Sequence, residues 1–107
     1  MIEVLVKRSG AWVKLLHVEG HAQPGKLRGG RYDLVCAAVS ALMGNLLEGF
    51  DLLGRNDRAA VNEKDNSVRV TPEDDFGQQL LVKTAIRSLA GVESQYGKFL
   101  EIHTMEV

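Results

Sequence analysis

At 107 residues, with 13 basic and 14 acidic side chains, the chain has room for one domain and carries almost no net charge. Near-neutrality excludes a nucleic-acid binder driven by bulk charge, and a single cysteine excludes an internal disulfide and suits a reducing compartment. Apolar residues make up 45% of the chain, an ordinary share for a soluble protein. No apolar run approaches the roughly 20 residues that cross a bilayer, and the acidic, short N-terminal run does not resemble a signal peptide. The expectation is a cytoplasmic protein with no membrane partner.

Ile2 to Lys7 alternates apolar and polar residues and is rich in β-branched types, which predicts a strand. Ser9-Gly10 predicts a tight hairpin turn, and Trp12 to Glu19 returns as a second strand. Gly20 to Arg31 is a loop, broken by Pro24, Gly25, Gly29 and Gly30. Asp33 is placed to cap the helix that follows, which should end near Gly54. Leu34, Val35, Ala38, Val39, Leu42, Met43, Leu46, Phe50 and Leu53 give that helix one broad apolar face.

Arg58 to Glu63 and Ser67 to Thr71 predict two short strands around the polar turn Lys64-Asp65-Asn66. Thr71-Pro72-Glu73-Asp74 reads as a helix start, with threonine as cap, proline in the first turn and two acids at the positive end of the dipole. Leu81, Ala85, Leu89, Val92 and Tyr96 share a face of this helix, Gly97 stops it, and Phe99 to His103 forms a last strand. The fold class is α+β, in the order ββαββαβ. An antiparallel sheet of about five strands is covered by two helices, in a single domain over residues 1–107.

The chemistry-bearing residues cluster between residues 20 and 40. Gly20-His21-Ala22 ends the second strand, and Asp33-Leu34-Val35-Cys36-Ala37-Ala38-Val39-Ser40 opens the first helix. A thiol of reference pKa about 8.5 is mostly protonated near neutrality. With Asp33 as cap, Cys36 falls in the first turn, where unpaired N–H groups favour a thiolate and can also bind a developing oxyanion. An imidazole from His21 adds to the activation. Ser40 lies one turn after Cys36 on the same face. Asp33 either caps the helix or orients His21 as a third catalytic member.

Plainer readings stand beside these. A lone cysteine often packs as a small hydrophobe, and Ser40 can be one small residue among Ala37, Ala38, Ala41 and Gly44 where the helix nears the sheet. A metal alternative would use His17, Glu19 and His21 on one strand face, joined by Cys36, but no close ligand pair of the zinc-finger kind occurs. No metal site is therefore assigned.

Gly20-His21-Ala22 followed by Asp33-Leu34-Val35-Cys36-Ala37-Ala38-Val39-Ser40-Ala41-Leu42 resembles the Prp family of bacterial cysteine proteases, which process a ribosomal protein. The similarity covers essentially the whole chain in length and element order. The resemblance implies an α+β fold, a homodimer and no cofactor. It implies removal of a short N-terminal extension from a large-subunit ribosomal protein precursor. Cys36 would be the nucleophile, His21 the general base, and Asp33 and Ser40 supporting residues.

The loop from Gln23 to Tyr32 departs from the family's usual glycine-rich connection in being longer and more basic, with Lys26, Arg28 and Arg31. Gly25, Gly29, Gly30 and Arg31 are assigned to a substrate loop that closes over bound peptide; a solvated surface loop is the alternative. The rival function is a non-catalytic ribosome-associated or assembly factor. In that reading, basic residues of the loop together with Arg55, Arg58 and Lys64 contact rRNA phosphates.

Overall fold

The structure of the protein, a computed structural model, describes residues 1–20 and 31–107, with the backbone alone at residues 31–33. Strands β1 (Ile2–Ser9) and β2 (Trp12–Glu19) form a hairpin. Ser9 pairs with Trp12, so Gly10 and Ala11 make the turn, one residue later than the sequence suggested. Gly10 supplies the positive φ of 58° that a two-residue hairpin turn requires at its first position. Helix α1 (Arg31–Leu52), strands β3 (Ala59–Asn62) and β4 (Ser67–Val70), helix α2 (Phe76–Tyr96) and strand β5 (Leu100–Glu106) complete the order ββαββαβ.

The strands lie in the order β3-β4-β2-β1-β5. The hairpin pairs β1–β2 and β3–β4 and the β2–β4 pair are antiparallel, as expected. The β1–β5 pair is parallel, which corrects a wholly antiparallel sheet to a mixed one. The cause is the helical connection: α2 carries the chain from one end of the sheet back to the other, so β5 runs in the direction of β4 and hence of β1.

Alternation along the strands sends Ile2, Val4 and Val6 of β1 and Leu16 and Val18 of β2 into one core. Val35, Val39, Met43, Leu46 and Phe50 of α1 and Val82, Ala85 and Leu89 of α2 meet them there. Val82, absent from the expected face of α2, is fully buried, whereas Leu34 and Leu53, expected on the apolar face of α1, are exposed. Contrary to the expectation of no span-length apolar run, Leu34–Leu52 is long and apolar enough to cross a membrane by length and composition alone. Here one face of that segment closes the sheet core.

The helix ends differ in detail from the sequence expectations. After α1 the N–H of Arg55 donates to Phe50 O at 2.9 Å and Gly54 takes φ 70°, a glycine-terminated stop. The cap of α2 is Asp75, not Thr71: its Oδ2 accepts from Gln78 N at 3.0 Å. The Thr71 N–H is already used, donating to Arg58 O at 2.9 Å, so the chain stays extended there. Gly97 does follow α2, but with right-handed φ −60°, so its value there is not left-handed freedom.

Candidate active site

The chain leaves β2 through Gly20, whose φ is 103°. A Cβ at this position would stand 2.5 Å from Met1 O and 3.2 Å from Ile2 Cα, so backbone packing against β1 admits only glycine. On its other side Gly20 is held by Asn66, whose Nδ2 donates to Gly20 O at 3.0 Å. Asn66 ends the β3–β4 turn with φ 54°, a left-handed conformation that asparagine tolerates better than most residues. The turn is tied internally: Lys64 N donates to Asn62 Oδ1 at 3.0 Å and Ser67 Oγ to Asp65 Oδ1 at 2.6 Å.

Cys36 sits opposite, half-buried on α1 and packed against the core. Gly20, Cys36, Ser40 and Asn66 share the wall of one cavity of about 300 Å³. Its floor is apolar, with Ile2, Val39, Met43 and Val61 among the lining side chains. Asn62 and Glu63 add polar groups from the β3–β4 hairpin. The cavity is thus a largely apolar recess with a thiol in its wall.

Of the expected site residues, the structure brings Cys36 and Ser40 together on this cavity, with Ser40 exposed. His21, Gly25, Gly29 and Gly30 lie outside the described residues. Arg31 opens α1, so Asp33 is its third residue, inside the first turn and not the flanking cap position. Cys36 becomes the sixth residue of the helix, which moves it from the first turn to the second. Its own N–H is then committed to the helix ladder, and the dipole contribution at the sulfur is weaker than the expected first-turn placement implied.

Sequence reasoning missed the β3–β4 hairpin as a wall of the site, and Asn66 within it. The pattern Lys64-Asp65-Asn66 signalled a turn, but which end of the sheet that turn would face was not encoded locally. Among the described residues of the suggested metal set, His17 and Cys36 do not converge. His17 alternates with the core residues Leu16 and Val18, and so faces away from the core against which Cys36 packs. Among the described residues, the metal-ligating types that converge are instead Glu3, Glu101 and His103, all exposed. His103 Nε2 lies 3.3 Å from Glu3 Oε2 and 3.2 Å from Glu101 Oε1.

Two of the suspected phosphate-binding cations are used within the fold. Arg55 pairs with Glu73 and Asp57, and Arg58 Nε donates to Thr71 O at 2.7 Å. The Glu73 carboxyl is held below the usual carboxylate range, first by the hydrogen bond from Gln78 and then by that from Arg55.

The family model for cysteine protease Prp matches residues 1–101. The chain belongs to the cysteine protease Prp family. No curated protein sequence matches it. Solved structures agree with the assignment at the level of fold. The essential ribosomal processing protease Prp from S. aureus, in complex with a covalently linked product peptide, superposes with a TM-score of 0.79 at 22% identity, covering 98% of this chain and 100% of that one. The same protease in complex with a substrate peptide gives 0.78 at 22% identity, with the same coverage. SMU.848 from Streptococcus mutans gives 0.82 at 22% identity, covering 100% of this chain and 96% of that one. The Prp fold is therefore the mixed five-strand sheet and two helices seen here.

Proposed function

We propose that the protein is a cytoplasmic endopeptidase that removes a short N-terminal extension from a large-subunit ribosomal protein precursor, with Cys36 as nucleophile and His21 as base. The observation that carries this reading is the position of Cys36 in the wall of an apolar cavity that also borders Gly20, the residue directly before His21. The S. aureus protease, whose peptide complexes show a ribosomal processing protease holding substrate and product, supports the substrate class.

The chemistry runs in two steps. His21 takes the Cys36 proton, and the thiolate attacks the scissile carbonyl carbon. Collapse of the tetrahedral intermediate expels the amine, which leaves with the proton from His21. Water, deprotonated by His21, then attacks the thioester carbon and releases the new carboxylate and the thiol. No cofactor is required. Backbone N–H groups near the start of α1 are the proposed donors for the oxyanion. The apolar lining of the cavity suits an apolar substrate side chain beside the cut bond.

The binding-only alternative gains little support, because Arg55 and Arg58 are engaged by Glu73 and Thr71. A homodimer is part of the proposal. Leu52 and Leu53 at the end of α1, and Phe76 and Leu80 at the start of α2, are all exposed. The two helix ends adjoin, since a Cβ on Gly77 would lie 3.5 Å from Leu53 Cδ2. Such an apolar patch favours burial against a second copy.

The test is intact-mass spectrometry of the cognate ribosomal protein precursor incubated with wild-type protein and with Cys36→Ala. Discrete N-terminal truncation by wild type alone is expected. An uncut precursor that carries an extension, with folded and reduced enzyme, would reject the proposal.

A further inference from the structure

We infer that Glu63 is a specificity-determining residue that selects substrates carrying a lysine or arginine side chain close to the cut bond; this rests on the reading of Cys36 as the nucleophile. Glu63 and Cys36 line the same cavity of about 300 Å³. Among the described lining residues Glu63 bears the only carboxylate, and no lysine or arginine joins it. A peptide whose carbonyl reaches the sulfur therefore lays its neighbouring side chains against an apolar floor and one negative charge. Cationic side chains are attracted there and anionic ones repelled, and specificity is the difference between the two.

The charge is held in place, and the fold does not use it. Asn62 Oδ1 accepts from Lys64 N at 3.0 Å, an Asx turn that fixes the backbone on both sides of Glu63. Asp65 is the acid that ties the turn: its Oδ1 accepts from Ser67 Oγ at 2.6 Å and its Oδ2 from Asn62 Nδ2 at 3.4 Å. The exposed Glu63 carboxylate has no hydrogen bond or ion pair among the described residues. The adjacent Lys64 does not line the cavity and so leaves the charge on this wall unopposed. The hairpin thus has no need of a carboxylate at position 63, yet one stands on the wall that it shares with the thiol.

The test uses the full chain and peptides that span the precursor's cut bond. Each of about four positions on either side is replaced in turn by lysine, norleucine or glutamate, which covers the reach of an extended peptide across the cavity. At the position that meets Glu63, wild type is expected to show a kcat/KM about fivefold higher for lysine than for glutamate, the scale of an exposed ion pair. About 0.5 M salt should erase most of that preference. Glu63→Gln should level the series and Glu63→Lys should reverse it; both replace an exposed turn residue outside the core. A lysine-to-glutamate ratio that is the same in wild type and Glu63→Lys at every position would overturn the proposal. Peptides left uncut by wild type, or cut equally by Cys36→Ala, would instead remove the nucleophile assignment on which it rests.

Discussion

Cys36 and Ser40 stand one helical turn apart and share a cavity wall, and of the two the thiol is the more readily ionised and the stronger nucleophile near neutral pH. Because α1 begins at Arg31, the sulfur is borne by the helix's second turn, and the helix start is a weaker activator than a first-turn cysteine would enjoy. The consequence is measurable. His21→Ala is expected to lower turnover by about two to four orders of magnitude, the range ascribed to general acid–base groups. It should also slow alkylation of Cys36 at pH 7 (about neutral). Fast alkylation retained in that variant, with turnover lost, would show that the thiolate is made elsewhere and that His21 acts only on the leaving group. The reactive residue types were legible in the sequence because thiol, imidazole and hydroxyl are rare and distinctive. Asn66 was not, since its part depends on a backbone angle and on a carbonyl 46 residues away in sequence.

Elements were legible where one face had to be apolar, and less so where a helix or strand begins by a contest between partners. The start of α2 illustrates this. Thr71 and Pro72 carry strong local signals, but the N–H of Thr71 is paired with Arg58 O and the helix opens four residues later, behind Asp75. The same region holds a polar joint that periodicity does not reveal. Strand β4 meets β2 only along Leu16–Glu19, so among the described residues the first half of β2 has no strand neighbour on that side. Buried Gln79 takes that place: Val13 N donates to Gln79 Oε1 at 2.9 Å, and Gln79 Nε2 donates to Val13 O at 2.9 Å. The adjacent register shift, in which Lys7 faces Leu15 and Arg8 faces Val13, makes this side-chain substitute for a strand more valuable. Gln79→Met fills a similar volume and strands both Val13 groups. It should destabilise by about 2–4 kcal/mol in chemical denaturation, with cleavage by the remaining folded enzyme preserved. A change below about 0.5 kcal/mol would mean that water replaces the glutamine at both groups.

At the scale of the molecule, element order and the helix-covered sheet followed from pattern, but the parallel β1–β5 pair did not. Hairpin turns announce antiparallel neighbours through two or three residues, whereas a crossover pair is made between segments nearly a hundred residues apart. The same limit applies to surfaces. Leu53 was read on the core face of α1 and is exposed, and Leu52 and Phe76, which no expected face included, are exposed at 86% and 80%. A patch of this kind at the junction of α1 and α2 leaves apolar area in water that a second copy would cover. Light scattering of wild type should therefore give twice the 11.7 kDa of one chain. A Phe76→Asp, Leu80→Asp double variant should give a monomer. Asp at position 76 also suits the positive end of α2, so loss of the dimer would not reflect loss of the helix. A double variant that remains dimeric would place the interface on another face, and a monomeric wild type would remove the dimer from the proposal altogether.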